Sequence, residues 1–102
     1  MDLVTKVYKE AENFPDYEKF GLISQIRRSS VSIPANIAEG FGRRSKKEFP
    51  RFLNISMGSL FEIQTELEVS HNLGFLDKET FQNLYEDTRE IERMISSFIS
   101  TL

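Results

Sequence analysis

Arg43, Arg44, Lys46, Lys47 and Arg51 crowd around a Gly40-Phe41-Gly42 break in a chain whose net charge is −3. Cations at this density suit phosphate binding. Each one that meets a phosphate releases a counterion, and a planar guanidinium grips two oxygens at once. With Arg27 and Arg28, residues 27–51 carry seven basic groups against two acids, Glu39 and Glu48, a local +5, while the rest of the chain carries −8. A basic site on an acidic body steers a polyanion to one face. The competing reading is a solvated corner between two helices, and a pI near 5.2 is far from that of an ordinary basic nucleic-acid module. Phe41 also has two readings: a plug for the end of a helix bundle, or a ring on which a base stacks.

Other constellations offer less. Di-metal bundles need Glu-x-x-His on two helices; here Glu68-x-x-His71 occurs once, and His71 is the single histidine. The absence of cysteine excludes disulfides and thiolate metal sites. The serines lack a His/Asp set for nucleophilic catalysis. Gly40-Phe41-Gly42 has neither the preceding strand nor the following Gly-Lys-Ser/Thr of a phosphate loop. The expectation is a protein with no catalytic residues, no metal and no cofactor.

The elements that position these residues follow from apolar spacing, which predicts helices at about 2–13, 16–40, 46–73 and 78–101 in a single domain, 1–102. The first stripe is Leu3 or Val4, Val7, Ala11 and Phe14, ended by Phe14-Pro15-Asp16. The second is Leu22, Ile26, Ser29 or Ser30, Ile33 and Ile37, with a kink expected at Pro34 and a glycine stop at Gly40-Phe41-Gly42. Ser45 and Glu48 form a capping box for the third helix. Its seam is Phe49, Leu53, Ser56, Leu60, Ile63, Leu67 and Ser70, closed by Asn72-Leu73-Gly74. Asp77 caps the fourth, whose seam is Phe81, Leu84, Thr88, Ile91, Ile95, Phe98 and Leu102.

Short connections favour antiparallel neighbours, so the predicted fold is all-α: an antiparallel up-down-up-down four-helix bundle. The first helix is short beside the others and flanks only part of such a bundle, unless the chain begins late. Apolar residues off the seams, among them Ile23, Val31, Phe52, Ile55, Phe61 and Val69, point to a homo-oligomer. No apolar run reaches the roughly 18 residues of a membrane span, and the N-terminus lacks a signal-peptide layout. A cytoplasmic protein without a membrane partner is expected.

A polar stripe, Gln25, Arg28, Ser32, Asn36 and Glu39, runs along the second helix beside its apolar stripe. Ser59, Glu62 and Glu66 offer matching spacing on the third. Arg28 is expected to pair with Glu62 or Glu66. Such a set forms either a polar site between helices or a network that fixes their register, and the second reading is favoured.

Four runs carry a further signal: Gln25 to Arg28, Ser32-Ile-Pro-Ala-Asn36-Ile-Ala-Glu39-Gly40-Phe41, Ser45-Lys-Lys-Glu48-Phe49, and Gly58-Ser59-Leu60 with Glu62. They closely resemble the bacterial four helix bundle protein family, also called the 23S ribosomal RNA intervening-sequence protein family. The resemblance extends from Phe14-Pro15 and Glu18 through Leu73-Gly74-Phe75 to the last helix. It implies a four-helix bundle assembled into a homopentamer. It also implies kinship with a basic pentameric accessory protein of retroelements thought to bind RNA. The chain departs from the family pattern in having Pro50 where a helix former is usual, and in lacking an aromatic-rich stretch ahead of Met1. Two functional readings follow. One is a non-enzymatic oligomer that binds nucleic acid, RNA, through Arg43, Arg44, Lys46, Lys47 and Arg51. The other is a structural scaffold or protein–protein interaction module whose partner is a protein.

Overall fold

The computed structural model describes residues 2–102. Four α-helices follow one another: α1 (Asp2–Ala11), α2 (Leu22–Gly42), α3 (Glu48–Asn72) and α4 (Lys78–Ser100), with a single 3-10 turn at Asp16–Glu18. No strand occurs among the described residues.

α1 buries Leu3, Val7 and Ala11 on one face, and Phe14 beyond it packs its ring 5.4 Å from Phe75. α2 begins at Leu22 and not at Asp16 as the spacing predicts. The intervening chain makes its 3-10 turn and then breaks at Gly21, whose φ and ψ are both −109°. Glu18 caps the new start: its Oε2 accepts from the Leu22 amide at 3.0 Å. α2 then runs without interruption through Pro34 to Gly42.

The start of α3 forms half of its expected box. Ser45 Oγ accepts from the Glu48 amide at 3.3 Å, but Glu48 Oε2 accepts from Arg51 at 3.0 Å instead of reaching back. Pro50 falls in the first turn: the Phe49 amide before it bonds Ser45 O at 3.0 Å, so the one ladder bond the proline gives up, to Lys46 O, lies at the helix edge, where it costs less than in mid-helix. Gly74, at φ +82°, closes α3: its amide bonds His71 O at 2.9 Å and the Phe75 amide bonds Ser70 O at 2.8 Å. Asp77 Oδ1 then accepts from the Thr80 amide at 2.7 Å and opens α4.

α2 packs most extensively on α3, α3 next on α4, and α1 touches both α2 and α4. Ser29 faces Glu62 and Glu66, Ile33 faces Ser56, and Gly40 faces Phe52. Contact partners thus descend α3 as they climb α2. The core is a column in which Val7, Ile26, Ile33, Leu60, Ile63 and Leu67 are fully buried. Ser30, Ser56 and Ser70 are buried with them and donate to backbone carbonyls of Arg27, Ile33 and Glu66. Short side chains let the helix axes close. At Gly40 an added Cβ would stand 2.6 Å from Phe52 Cβ.

The molecule measures 43 × 24 × 18 Å, with a radius of gyration of 14.3 Å, against about 13 Å for a globular chain of this length. The elongation follows from unequal helices. α1 has 10 residues and α4 has 23, about 15 Å against about 35 Å. α1 meets α4 at Lys6–Asp87 and α2 at Tyr8–Arg27, and flanks only part of either. The expected seam of α4 consequently fails at its last turns, where Phe98 and Leu102 are exposed. Ile23, expected off the seam, is buried, because α2 faces both α1 and α3 near its start.

Candidate nucleic-acid interface

Gly40 and Gly42 do not supply the left-handed turn that ends α2. Gly40 stays helical and buried against Phe52 and Phe49, the helix continues to Gly42, and the left-handed residue is Arg44, at φ +54°. That conformation costs a non-glycine residue about 1–2 kcal/mol. It directs the chain from Arg44 through Lys47 around the corner into α3.

The five cations divide into two groups. Arg43 donates to Glu39 Oε1 at 2.9 Å and Arg51 to Glu48 Oε2 at 3.0 Å. Both guanidinium groups also lie over the Phe52 ring, 5.4 and 5.6 Å from its centroid. Phe52 is thereby the platform of the corner, a role that its spacing alone did not reveal. Exposed pairs of this kind contribute at most about 1 kcal/mol each, but any phosphate at Arg43 or Arg51 competes with a carboxylate. Arg44, Lys46 and Lys47 are exposed and have no acidic partner among the described residues.

Beside these cations lies a cleft of about 690 Å³, walled by Phe41, Phe49, Arg44, Lys46, Thr101 and Leu102. Phe49, not Phe41, fills the bundle end: it is half-buried, with edge-on contacts to Phe98 at 5.5 Å and Phe41 at 6.2 Å. Phe41 is 73% exposed. The contribution of Thr101 and Leu102 was hidden from spacing, because it depends on where α4 ends relative to the α2–α3 corner.

The polar stripe separates into pieces. Ser32 and Ser59 share a hydrogen bond at 2.8 Å, and Asn36 Nδ2 donates to Ser32 O and Oγ at 2.8 and 2.9 Å. Glu39 belongs to the basic corner. Gln25 and Arg28 are exposed, and Arg28 pairs with neither Glu62 nor Glu66. The residue that meets those carboxylates is Ser29, whose hydroxyl lies 3.3 Å from each. The neighbouring position points inward and Arg28 points away. Glu66 Oε1 is buried without a partner. Burial raises the Glu66 carboxyl above its ordinary range; the Ser29 hydroxyl opposes this, and the Glu62 charge adds to it.

His71 stacks on Phe81, ring centroids 4.7 Å apart, and its Nδ1 donates to Leu76 O at 3.0 Å. It thus ties the end of α3 to the start of α4. Among the described residues no three His, Cys, Asp or Glu side chains converge as metal ligands, and no helix is long and apolar enough to cross a membrane.

The 23S rRNA-intervening sequence protein family model matches residues 1–97. The chain belongs to this family. Among solved structures, a protein of unknown function from the S23 ribosomal protein family of Bacteroides thetaiotaomicron VPI-5482 is similar: 29% identity, a TM-score of 0.82, 94% of this chain and 87% of that one covered. No curated protein matches. Membership of the 23S rRNA-intervening sequence family therefore covers both the α2–α3 corner and the stripe between the helices. The family name assigns the corner no chemistry.

Proposed function

We propose that the chain is a non-enzymatic, self-associating helical bundle that works in the cytoplasm and binds nucleic acid, RNA, through the α2–α3 corner. One observation carries this reading: Arg44, Lys46 and Lys47 stand together without acidic partners in a protein that is acidic elsewhere. Cations so placed hold phosphates and position a strand without reading its sequence. Arg43 and Arg51, held by Glu39 and Glu48, flank the site and meet a phosphate only in competition with those carboxylates.

The descending contact pairs of α2 and α3 support an up-down-up-down topology. Self-association is supported by α3. Ile55, Phe61 and Val69 are exposed there, with Val31 on α2. Gly58, between them, would meet no atom within 4 Å if it gained a Cβ. Within one chain an exposed mid-helix glycine has only its cost, about 1 kcal/mol, whereas a second backbone approaching closely gives it a purpose. A homopentamer, as the family resemblance implies, would repeat the basic corner around an axis and add weak sites by multivalency.

Binding of a structured RNA to wild type and to a variant with Arg44, Lys46 and Lys47 changed to Glu tests the corner. Wild type binds at low salt and the variant does not; equal binding by both refutes the reading. Light scattering tests assembly: a mass well above the 11.9 kDa chain is expected, and a monomer mass at micromolar concentration refutes it. The second reading, a protein-binding scaffold, draws on the same exposed apolar residues. It takes over if the protein assembles yet ignores nucleic acid.

A further inference from the structure

We infer that the cleft at the basic corner seats an unpaired base of a single-stranded nucleic acid, with the adjoining phosphates on Arg44 and Lys46. This rests on the proposed corner reading and specifies the form of nucleic acid it takes.

Phe41 is the first ground. A ring this exposed at a helix end gains little from the fold, and its contact with Phe49 is edge-to-face at 6.2 Å and 75°. Ring surface is therefore left free for stacking, and a base offers a π-face whatever its sequence. The second ground is the cleft itself. Its volume of about 690 Å³ lies in the range of sites that enclose a small organic group. Phe41, Phe49 and Leu102 make much of its wall apolar. The third ground is charge. An apolar cleft alone would suit many occupants, but here Arg44 and Lys46 belong to its walls and neither has an acidic partner. The matching ligand is flat and apolar on its faces and carries an anion on either side, as a nucleotide within a strand does. A duplex keeps its bases stacked inward and offers none to the cleft.

The test compares a short single-stranded RNA with the same strand carrying abasic sites, which keeps the phosphates and removes the bases. Wild type should prefer the complete strand by roughly 5- to 150-fold per seated base. Phe41→Ala should bring the two strands level, without weakening the abasic one. Changing Arg44 and Lys46 to Glu should weaken both. If wild type binds the two strands equally, the base-seating proposal falls while the corner reading stands. If Phe41→Ala keeps the preference, the base sits elsewhere and the proposal falls. If Phe41→Ala lowers the oligomeric mass, a second copy occupies the cleft and the proposal falls. If neither strand binds wild type at low salt, the corner reading falls and takes the proposal with it.

Discussion

At the residue scale, Arg44 and Glu66 each hold a position that the isolated fold does not favour. Arg44 occupies a left-handed conformation two residues beyond a glycine that remains helical. Arg44→Gly should therefore raise stability by about 1 kcal/mol and weaken RNA binding at the same time. Denaturant midpoints and titrations on the same variant check the two directions; a variant that binds as wild type removes Arg44 from the interface. Glu66 holds a carboxyl raised by burial above the ordinary 4.5. Between 4.5 and that raised value the folded chain binds more protons than the unfolded chain, so this group's contribution falls as pH rises through the window. Glu66→Gln should gain stability relative to wild type at pH 7, and the gain should shrink as pH falls through that window towards 4.5 and change no further below it. Thermal melts across pH check this, and a gain independent of pH would contradict it. Neither residue was legible in this role beforehand. The stripe correctly brought Glu62 and Glu66 to the α2–α3 seam, but a shift of one residue, about 100° around the helix, replaced Arg28 by Ser29 as their partner.

At the element scale, heptad spacing was enough to place α3: its buried seam matches Leu53, Ser56, Leu60, Ile63, Leu67 and Ser70. Caps were read well where they are local, as at Asp77 and Gly74. They were read poorly where tertiary contact decides. The start of α2 depends on Glu18 folding back on Leu22, and the end of α2 depends on Gly40 being needed by α3. Gly40→Ala tests that last point. Helix propensity favours alanine by about 1 kcal/mol, yet the new Cβ would lie 2.6 Å from Phe52 Cβ, and overpacking costs about 1–3 kcal/mol. Because Phe52 Cβ sits next to the backbone, no side-chain rotation relieves the contact. A net loss of up to about 2 kcal/mol is expected in chemical denaturation; stability above wild type would show that α3 does not press on Gly40.

At the scale of the whole molecule, unequal helix lengths and uneven charge set what the protein presents. The short α1 covers only part of α4, so the exposed Phe98 and Leu102 lie near the basic corner instead of inside a four-helix core. The basic segment and the helical spacing were legible as a pattern. The cleft was not, since it joins the α2–α3 junction to the far end of α4. The most direct test is the salt dependence of affinity for single-stranded RNA. The slope of log Kd against log salt should become shallower by about 2 when Arg44, Lys46 and Lys47 are changed to Ala, three phosphate contacts at about 0.7 each. Arg43→Ala and Arg51→Ala, which remove cations already held by Glu39 and Glu48, should change it much less. An unchanged slope in the triple variant, or an equal contribution from all five cations, would contradict the assignment of the interface to the three unpaired ones.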